Sequence, residues 1–313
     1  MIKTLDIVRG AVATKDLIPV LTHFHIYEGR IQGNNGKLCI DAPFDLDFDV
    51  TVPADKFYRA IKMCGKGITM KITPTGKFSM TCGKFRALLN MMPHDKYPRM
   101  EIETEKLLNC EGIVPVLKKL KPFISEDASR QWSQAVLIKN GYAYATNNII
   151  VGRVKVPYKW EGVIPALAVN ELIRIDKQPT GMNIQENYVS FMYADNIWIR
   201  ATTCAVPWPD IDRVVQVTPA LQLPPYFVET LEKLVPFCDD PKYPFFTLGK
   251  DGIRTDTEET GASIDLRAFP DSKFRAEPLL KVARVAKGIA FDSYPKPCYF
   301  IGEDIDGAIV GVL

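Results

Sequence analysis

Val52-Pro53-Ala54-Asp55-Lys56-Phe57 decides the fold, because the pattern returns as Ile164-Pro165-Ala166-Leu167-Ala168-Val169 and as Ala276-Glu277-Pro278-Leu279-Leu280-Lys281. In each copy a strand-like run meets a proline and a helix-like run follows. Proline suits that junction, since the first amides of a helix have no intrahelical acceptor and nothing is lost when one is missing. The three prolines stand about 112 and 113 residues apart. A second landmark keeps nearly the same spacing. Leu117-Lys118-Lys119-Leu120-Lys121-Pro122-Phe123 resembles Leu231-Glu232-Lys233-Leu234-Val235-Pro236-Phe237, with acidic residues after both, at Glu126-Asp127 and Asp239-Asp240. One further step back reaches Leu5 and Val8, the apolar pair of a short N-terminal helix. A period met three times in 313 residues predicts three similar domains, 1–102, 103–215 and 216–313.

Each unit reads in the same order: a short helix, several strands, the proline-started helix, more strands. Asp45-Leu46-Asp47-Phe48-Asp49-Val50 alternates polar and apolar residues, the period of a half-buried strand. Hairpins are predicted over 71–78, over 189–200 around Ala194-Asp195-Asn196, and over 247–253, from turn residues set between apolar runs. Two helices and many antiparallel strands per unit give an α+β class, helices laid on one face of the sheets.

The net charge is +2, too near neutrality to name a partner, but its distribution is uneven. Helices are predicted over 8–16, 55–66, 113–121, 166–177, 224–236 and 277–287. Together they are basic, most strongly at 55–66 and 113–121, so the rest of the chain is acidic. Helices that shared one surface would attract a polyanion to it. The alternative is ordinary, since Lys and Arg are good helix formers on solvated faces, and 224–236 is slightly acidic. Seven cysteines, widely spaced and odd in number, read as reduced thiols of a cytosolic protein rather than a disulfide framework. There is no apolar run long enough to span a bilayer, and the N-terminus does not read as a secretory signal.

Motifs for catalysis are missing. No Gly-x-x-x-x-Gly-Lys-Ser/Thr loop occurs, and no serine sits in a Gly-x-Ser-x-Gly setting. His23 and His25 fall on one face of a strand, but two ligands without a third make a poor metal site, and structural roles account for them and for His94. Asp45, Asp47 and Asp49 line one face. A divalent cation or a solvated edge would each explain them, and the solvated edge needs no further ligand. The same choice holds for Glu303-Asp304-Ile305-Asp306. No cofactor, no metal and no enzymatic activity are expected.

Three such units with basic helices resemble the bacterial DNA polymerase III beta subunit, the beta sliding clamp. Ile18-Pro19-Val20-Leu21 is similar to the family's Leu-Pro-Ile-Leu, Thr51-Val52-Pro53-Ala54-Asp55-Lys56-Phe57 to its Val-Pro-Ala-Arg-Lys-Phe, and Trp208-Pro209-Asp210-Ile211-Asp212-Arg213-Val214 to its Phe-Pro-Asp-Tyr-x-x-Val. The resemblance runs along nearly the whole chain. It implies a head-to-tail homodimeric ring, sheets outside and helices around a hole that passes duplex DNA without reading its sequence. Facing DNA would be Arg9 and Lys15; Lys56, Arg59, Lys62 and Lys66; Lys118, Lys119 and Lys121; Arg174 and Lys177; and Lys281, Arg284 and Lys287.

The same resemblance implies a hydrophobic cleft for short peptides of a DNA polymerase and a clamp-loader ATPase. Its walls would be Thr146, Asn147, Asn148, Ile149, Ile150 and Val151, then Pro209 and Val214, then Ile309 and Val310. Ordinary strand core is the other reading of these residues. The family commonly has Thr-Asp-Gly-His-Arg-Leu where this chain has Thr146 to Val151. Asn148 still tolerates the positive φ that glycine allows, but the charged and imidazole groups are gone, which points to an altered peptide preference. The ring contact would use Phe85 and Ala87 on one side and Phe237 and Cys238 on the other, unless these are core. Shorter length and a charge less acidic than in cellular clamps imply a divergent, phage-encoded form acting in the bacterial or host cytoplasm. The rival reading is an unrelated α+β repeat protein, either an interaction scaffold or an enzyme without a recognisable motif.

Overall fold

The computed structural model describes residues 1–15, 18–65, 67–203, 206–238, 244–255 and 260–312. Lys66, Cys204 and Asp239-Asp240 lie outside the described residues.

One order of elements occurs three times. The first run is helix α1 (Ile2–Val8), strands β1 (His23–Tyr27), β2 (Arg30–Asn34), β3 (Leu38–Pro43) and β4 (Val50–Pro53), helix α2 (Ala54–Cys64), and strands β5 (Thr69–Ile72), β6 (Lys77–Cys82) and β7 (Phe85–Asn90). The second is α3 (Ile113–Leu120), β8 (Ala135–Lys139), β9 (Tyr142–Thr146), β10 (Ile150–Lys155), β11 (Gly162–Pro165), α4 (Ala166–Ile175), β12 (Gly181–Ile184), β13 (Tyr188–Met192) and β14 (Trp198–Thr202). After a short β15 (Leu221–Gln222) come α5 (Phe227–Leu234), β16 (Phe245–Gly249), β17 (Gly252–Thr255), β18 (Ser263–Ile264), β19 (Ser272–Arg275), α6 (Ala276–Ala283), β20 (Ala286–Ile289), β21 (Cys298–Gly302) and β22 (Asp306–Ile309). The class is α+β, with every strand pairing antiparallel.

The proline pattern marks the strand-to-helix junctions. Pro53 ends β4 and Pro165 ends β11, with Ala54 and Ala166 opening the helices; Pro278 falls in the first turn of α6. Along α2, Ala54, Phe57, Ala60, Ile61 and Cys64 are buried, the three-to-four spacing of one helical face. That register turns Lys56, Arg59 and Lys62 outward.

The chain divides into two compact units, Met1–Val114 with Leu167–Thr203 and Pro115–Ala166 with Cys204–Leu313. The first holds a seven-stranded sheet ordered β12-β13-β14-β3-β2-β1-β4 and a three-stranded sheet β5-β6-β7. The second holds an eight-stranded sheet β11-β8-β9-β10-β22-β21-β20-β15 and a four-stranded sheet β18-β17-β16-β19. Each large sheet joins strands of two repeats by one rule. The last strand of a repeat pairs with the third strand of the repeat before it, β14 with β3 and β22 with β10. Among the described residues, β7 and β18 are left as edges, each paired on one side only.

Aromatic rings fill both interiors. Phe57 meets Phe24, Phe44 and Phe78 in the first unit, and Phe291 meets Phe227, Phe269 and Phe274 in the second. Burying each such ring contributes about 1.5–3 kcal/mol. At the β14–β3 seam the fully buried Asp41 accepts hydrogen bonds from Tyr27 Oη (2.5 Å), Arg30 Nε (2.5 Å) and Gln32 Nε2 (2.9 Å). Burial without these partners would be costly for a carboxylate.

Four expected elements shift. The N-terminal helix is Ile2–Val8 followed by a 3-10 turn at Arg9–Ala11, not 8–16, because Leu5, Val8 and Ala11 form the buried face; Lys15 lies beyond it. Helix α4 stops at Ile175 before Asp176 takes a left-handed φ of 54°, so Lys177 follows the helix. Helix α6 stops at Ala283, and Lys287 sits in β20, where pairing with β21 and β15 overrides helical spacing. Only Val50 of 45–50 joins a strand. The run before it is unpaired, yet it keeps the alternation, with Phe44 inward and Asp45, Asp47 and Asp49 exposed.

Candidate functional site

The basic residues divide by what surrounds them. In the first unit Arg59 pairs with Asp55 at 2.9 Å, and Arg9 approaches the same carboxylate at 3.9 Å while covering the Tyr58 ring at 4.8 Å. Lys177 pairs with Asp195 at 2.8 Å. Arg174 is committed to the fold: it donates to the backbone oxygens of Asp6 (2.8 Å) and Ile7 (2.6 Å) at the end of α1 and pairs with the largely buried Glu171. Carbonyls in the last turn of a helix are short of intrahelical donors. A side chain at Gly10 would collide with Glu171 and Arg174, so glycine is what lets the pair sit there.

In the second unit Lys119 pairs with Asp304 (2.8 Å), Lys281 with Glu277 (2.7 Å), Arg284 with Glu232 of α5 (2.8 Å) and Lys287 with Glu303 (3.6 Å). The acidic turn 303–306 thus pairs with Lys119, Lys287 and Arg153. Lys118 is exposed on α3. Lys56, Lys62 and Lys121, and Lys15, are exposed with no ion-pair partner among the described residues. Lys3 on α1 is exposed as well, and shifting the helix to its true start would have included it. The unpaired cations carry the field, because paired ones are partly neutralised by their neighbours.

A second constellation lies on one face of the eight-stranded sheet. Tyr144, Val151, Ile211, Val215, Ala290, Tyr299 and Ala308 form a buried cluster, with Leu137, Tyr142, Trp208 and Val214 packed around it half-exposed. Strand alternation sorts the expected wall residues. Val151 opposite Ala308 faces the cluster, whereas Ile150 opposite Ile309 points to the other face and is fully buried. Thr146, Asn147 and Asn148 build the β9–β10 turn. Thr146 Oγ1 donates to the Ile150 oxygen (2.7 Å), Asn147 Oδ1 accepts from the Ile149 and Ile150 amides, and Asn148 has φ 72°. Val310 donates its amide to the Ile149 oxygen (2.8 Å) and keeps an exposed side chain; Pro209 is exposed beside Trp208.

A polar border that the sequence did not reveal surrounds this cluster. Tyr144 donates to Asp212 (2.6 Å), and burial followed by that carboxylate pushes its phenol well up. Arg153 clasps Asp306 through Nε (3.0 Å) and Nη2 (2.8 Å) and lies over the Tyr142 ring at 4.7 Å. Tyr299 donates to the same Asp306 (3.1 Å), and burial with that charge pushes it up to about 12. The period-two spacing of Tyr142 and Tyr144 was a readable sign of one shared face. Asp212 and Asp306 approach only through the tertiary fold.

Phe85 and Ala87 lie half-buried on the edge strand β7. Phe237 is 54% exposed in the 3-10 turn after α5, and Cys238 is half-buried next to it. His25 is buried between Tyr27 and Tyr97, each 4.9 Å away, with Nδ1 3.2 Å from Thr51 Oγ1. His25 and His94 share the wall of a 430 Å³ cavity with Asp47, Asp49 and Asp95. Among the described residues no three His, Cys, Asp or Glu side chains converge as metal ligands, and no helix is long and apolar enough to cross a membrane.

No protein-family model and no curated relative matches the sequence. Solved structures do. The chain superposes over 100% of its length on the DNA polymerase III beta chain of Streptococcus pneumoniae TIGR4 (TM-score 0.84, 16% identity, 97% of that chain covered). A sliding clamp, DNA polymerase III subunit beta, of Bartonella birtlesii bound to griselimycin gives a TM-score of 0.84 at 15% identity, covering 100% of this chain and 96% of that one. The Bacillus subtilis DNA polymerase sliding clamp gives 0.81 at 16%, covering 100% and 96%. At such identity the likeness lies in the path of the chain rather than in its residues. From end to end, this chain has the fold of the bacterial DNA polymerase III beta sliding clamp.

Proposed function

We propose that the protein is a DNA sliding clamp, a processivity factor that encircles duplex DNA and tethers a DNA polymerase without catalysing a reaction itself. The observation that carries this reading is the full-length likeness to sliding clamps, joined to the pairing rule of the repeats. Applied once more, that rule matches the free edge β7 with a third strand from a preceding repeat. β18 of a second copy is the equivalent strand. Head-to-tail pairing of this kind closes after two steps and gives a ring of two protomers and six repeats. Each of the domains 1–102, 103–215 and 216–313 would then place its helices around the opening.

Lys56, Lys62 and Lys121, with Lys118, would supply a diffuse phosphate attraction suited to sliding. The apolar cluster around Val151, Val214 and Ala308, bordered by Tyr144, Tyr299 and Arg153, would take the anchor side chains of polymerase and clamp-loader peptides. The action would be cytoplasmic, on the bacterial chromosome or on a phage genome.

Sedimentation tests the closure. The wild-type chain is expected to be dimeric at micromolar concentration. Phe237→Asp, a charge placed on an exposed ring beside the expected contact, is expected to give folded monomers. A monomeric wild type would remove the ring.

A further inference from the structure

The last carbonyls of a helix lack intrahelical donors. At the end of α2 the Cys64 carbonyl accepts instead from the Cys82 thiol, 3.5 Å away. Cys82 is the last residue of β6, opposite Phe85, and Gly83 with a left-handed φ of 55° turns the chain into β7. Burial, with Cys82 as the neighbouring thiol, holds the Cys64 thiol above its ordinary value. Cys64 is buried while Cys82 is partly open to solvent. Cys110 and Cys298, by contrast, are fully buried and give their thiols to the backbone oxygens of Pro179 and Lys296.

We propose that Cys64 and Cys82 are a reversible thiol–disulfide site that staples the end of α2 to the β6–β7 hairpin. The oxidant is a peroxide. The accessible Cys82, as thiolate, attacks one peroxide oxygen; the O–O bond breaks, the sulfur becomes a sulfenic acid, and the other oxygen leaves as water after taking up a proton. The Cys64 thiolate then attacks the Cys82 sulfur. The S–O bond breaks, hydroxide leaves and is protonated to water, and the S–S bond forms. In all, two thiols lose two electrons and one peroxide becomes two waters. The site does not depend on the clamp reading, because it rests on one helix end and one hairpin.

Peptide mapping of the full-length protein tests it. After hydrogen peroxide, alkylation of remaining thiols and trypsin digestion, residues 63–66 are expected joined to 78–84, two hydrogens lighter than the separate peptides. Dithiothreitol should restore the separate peptides. Cys64→Ser is expected to abolish the link and leave Cys82 as a sulfenic acid trapped by dimedone. Overturning results are full alkylation of both residues in peroxide-treated wild type, a Cys82 sulfenic acid that persists in wild type without a link, or Cys82 joined to any other cysteine.

Discussion

Arg174 reads from sequence as one more cation for DNA, yet it holds two carbonyls of α1 and the carboxylate of Glu171. Arg174→Ala is therefore expected to lower stability by about 1–3 kcal/mol, the range for a hydrogen-bonded charge whose partner is left partly buried. Urea denaturation measures it, and an unchanged midpoint would place Arg174 among ordinary surface residues. His25 contributes to the pH dependence of the same unit. Desolvation lowers its pKa below the ordinary 6.5. The unfolded chain then binds more protons than the native one just below that pH. Stability should be complete above 6.5 and should fall as pH drops through the lower native value. His25→Phe, which keeps the stack on Tyr27 and Tyr97, should flatten the fall in urea midpoint over that window; an equally steep fall would assign it to other groups. Some of this scale was legible: Asn148 could be read as tolerant of positive φ because that is a local property. The Lys119–Asp304 pair could not, since its members are 185 residues apart.

At the scale of elements, the proline junctions and turn residues were enough to place most helices and hairpins, because both are written in adjacent residues. Helix ends were less legible. Only packing shows that Leu5, Val8 and Ala11 form one buried face, or that Lys287 pairs in a sheet. The joining of β14 to β3 and of β22 to β10 left no local trace at all. The helices differ in how many of their cations are paired. Lys56→Glu with Lys62→Glu on α2 is expected to reduce the slope of log K for duplex DNA against log salt by about one unit for each phosphate no longer neutralised. Lys119→Glu would do less to the slope and more to stability, since it sets a second carboxylate beside Asp304. A slope unchanged by the α2 reversals would turn that helix away from DNA.

At the scale of the whole molecule, the proposed ring depends on closure by a second copy. Repetition of one module was readable because its period survives in the sequence. The polar border of Asp212, Arg153 and Asp306 was not, because it assembles from a turn and two strands of two repeats. If two copies join β7 to β18, the duplex is held by topology rather than by affinity, and weak phosphate attraction is sufficient. Retention on DNA whose ends are open or blocked measures this most directly. Protein threaded onto linear duplex, with both ends then capped by streptavidin, should remain bound through a high-salt wash and be lost when one cap is cut away. Equal loss from capped and uncapped duplex would contradict encirclement.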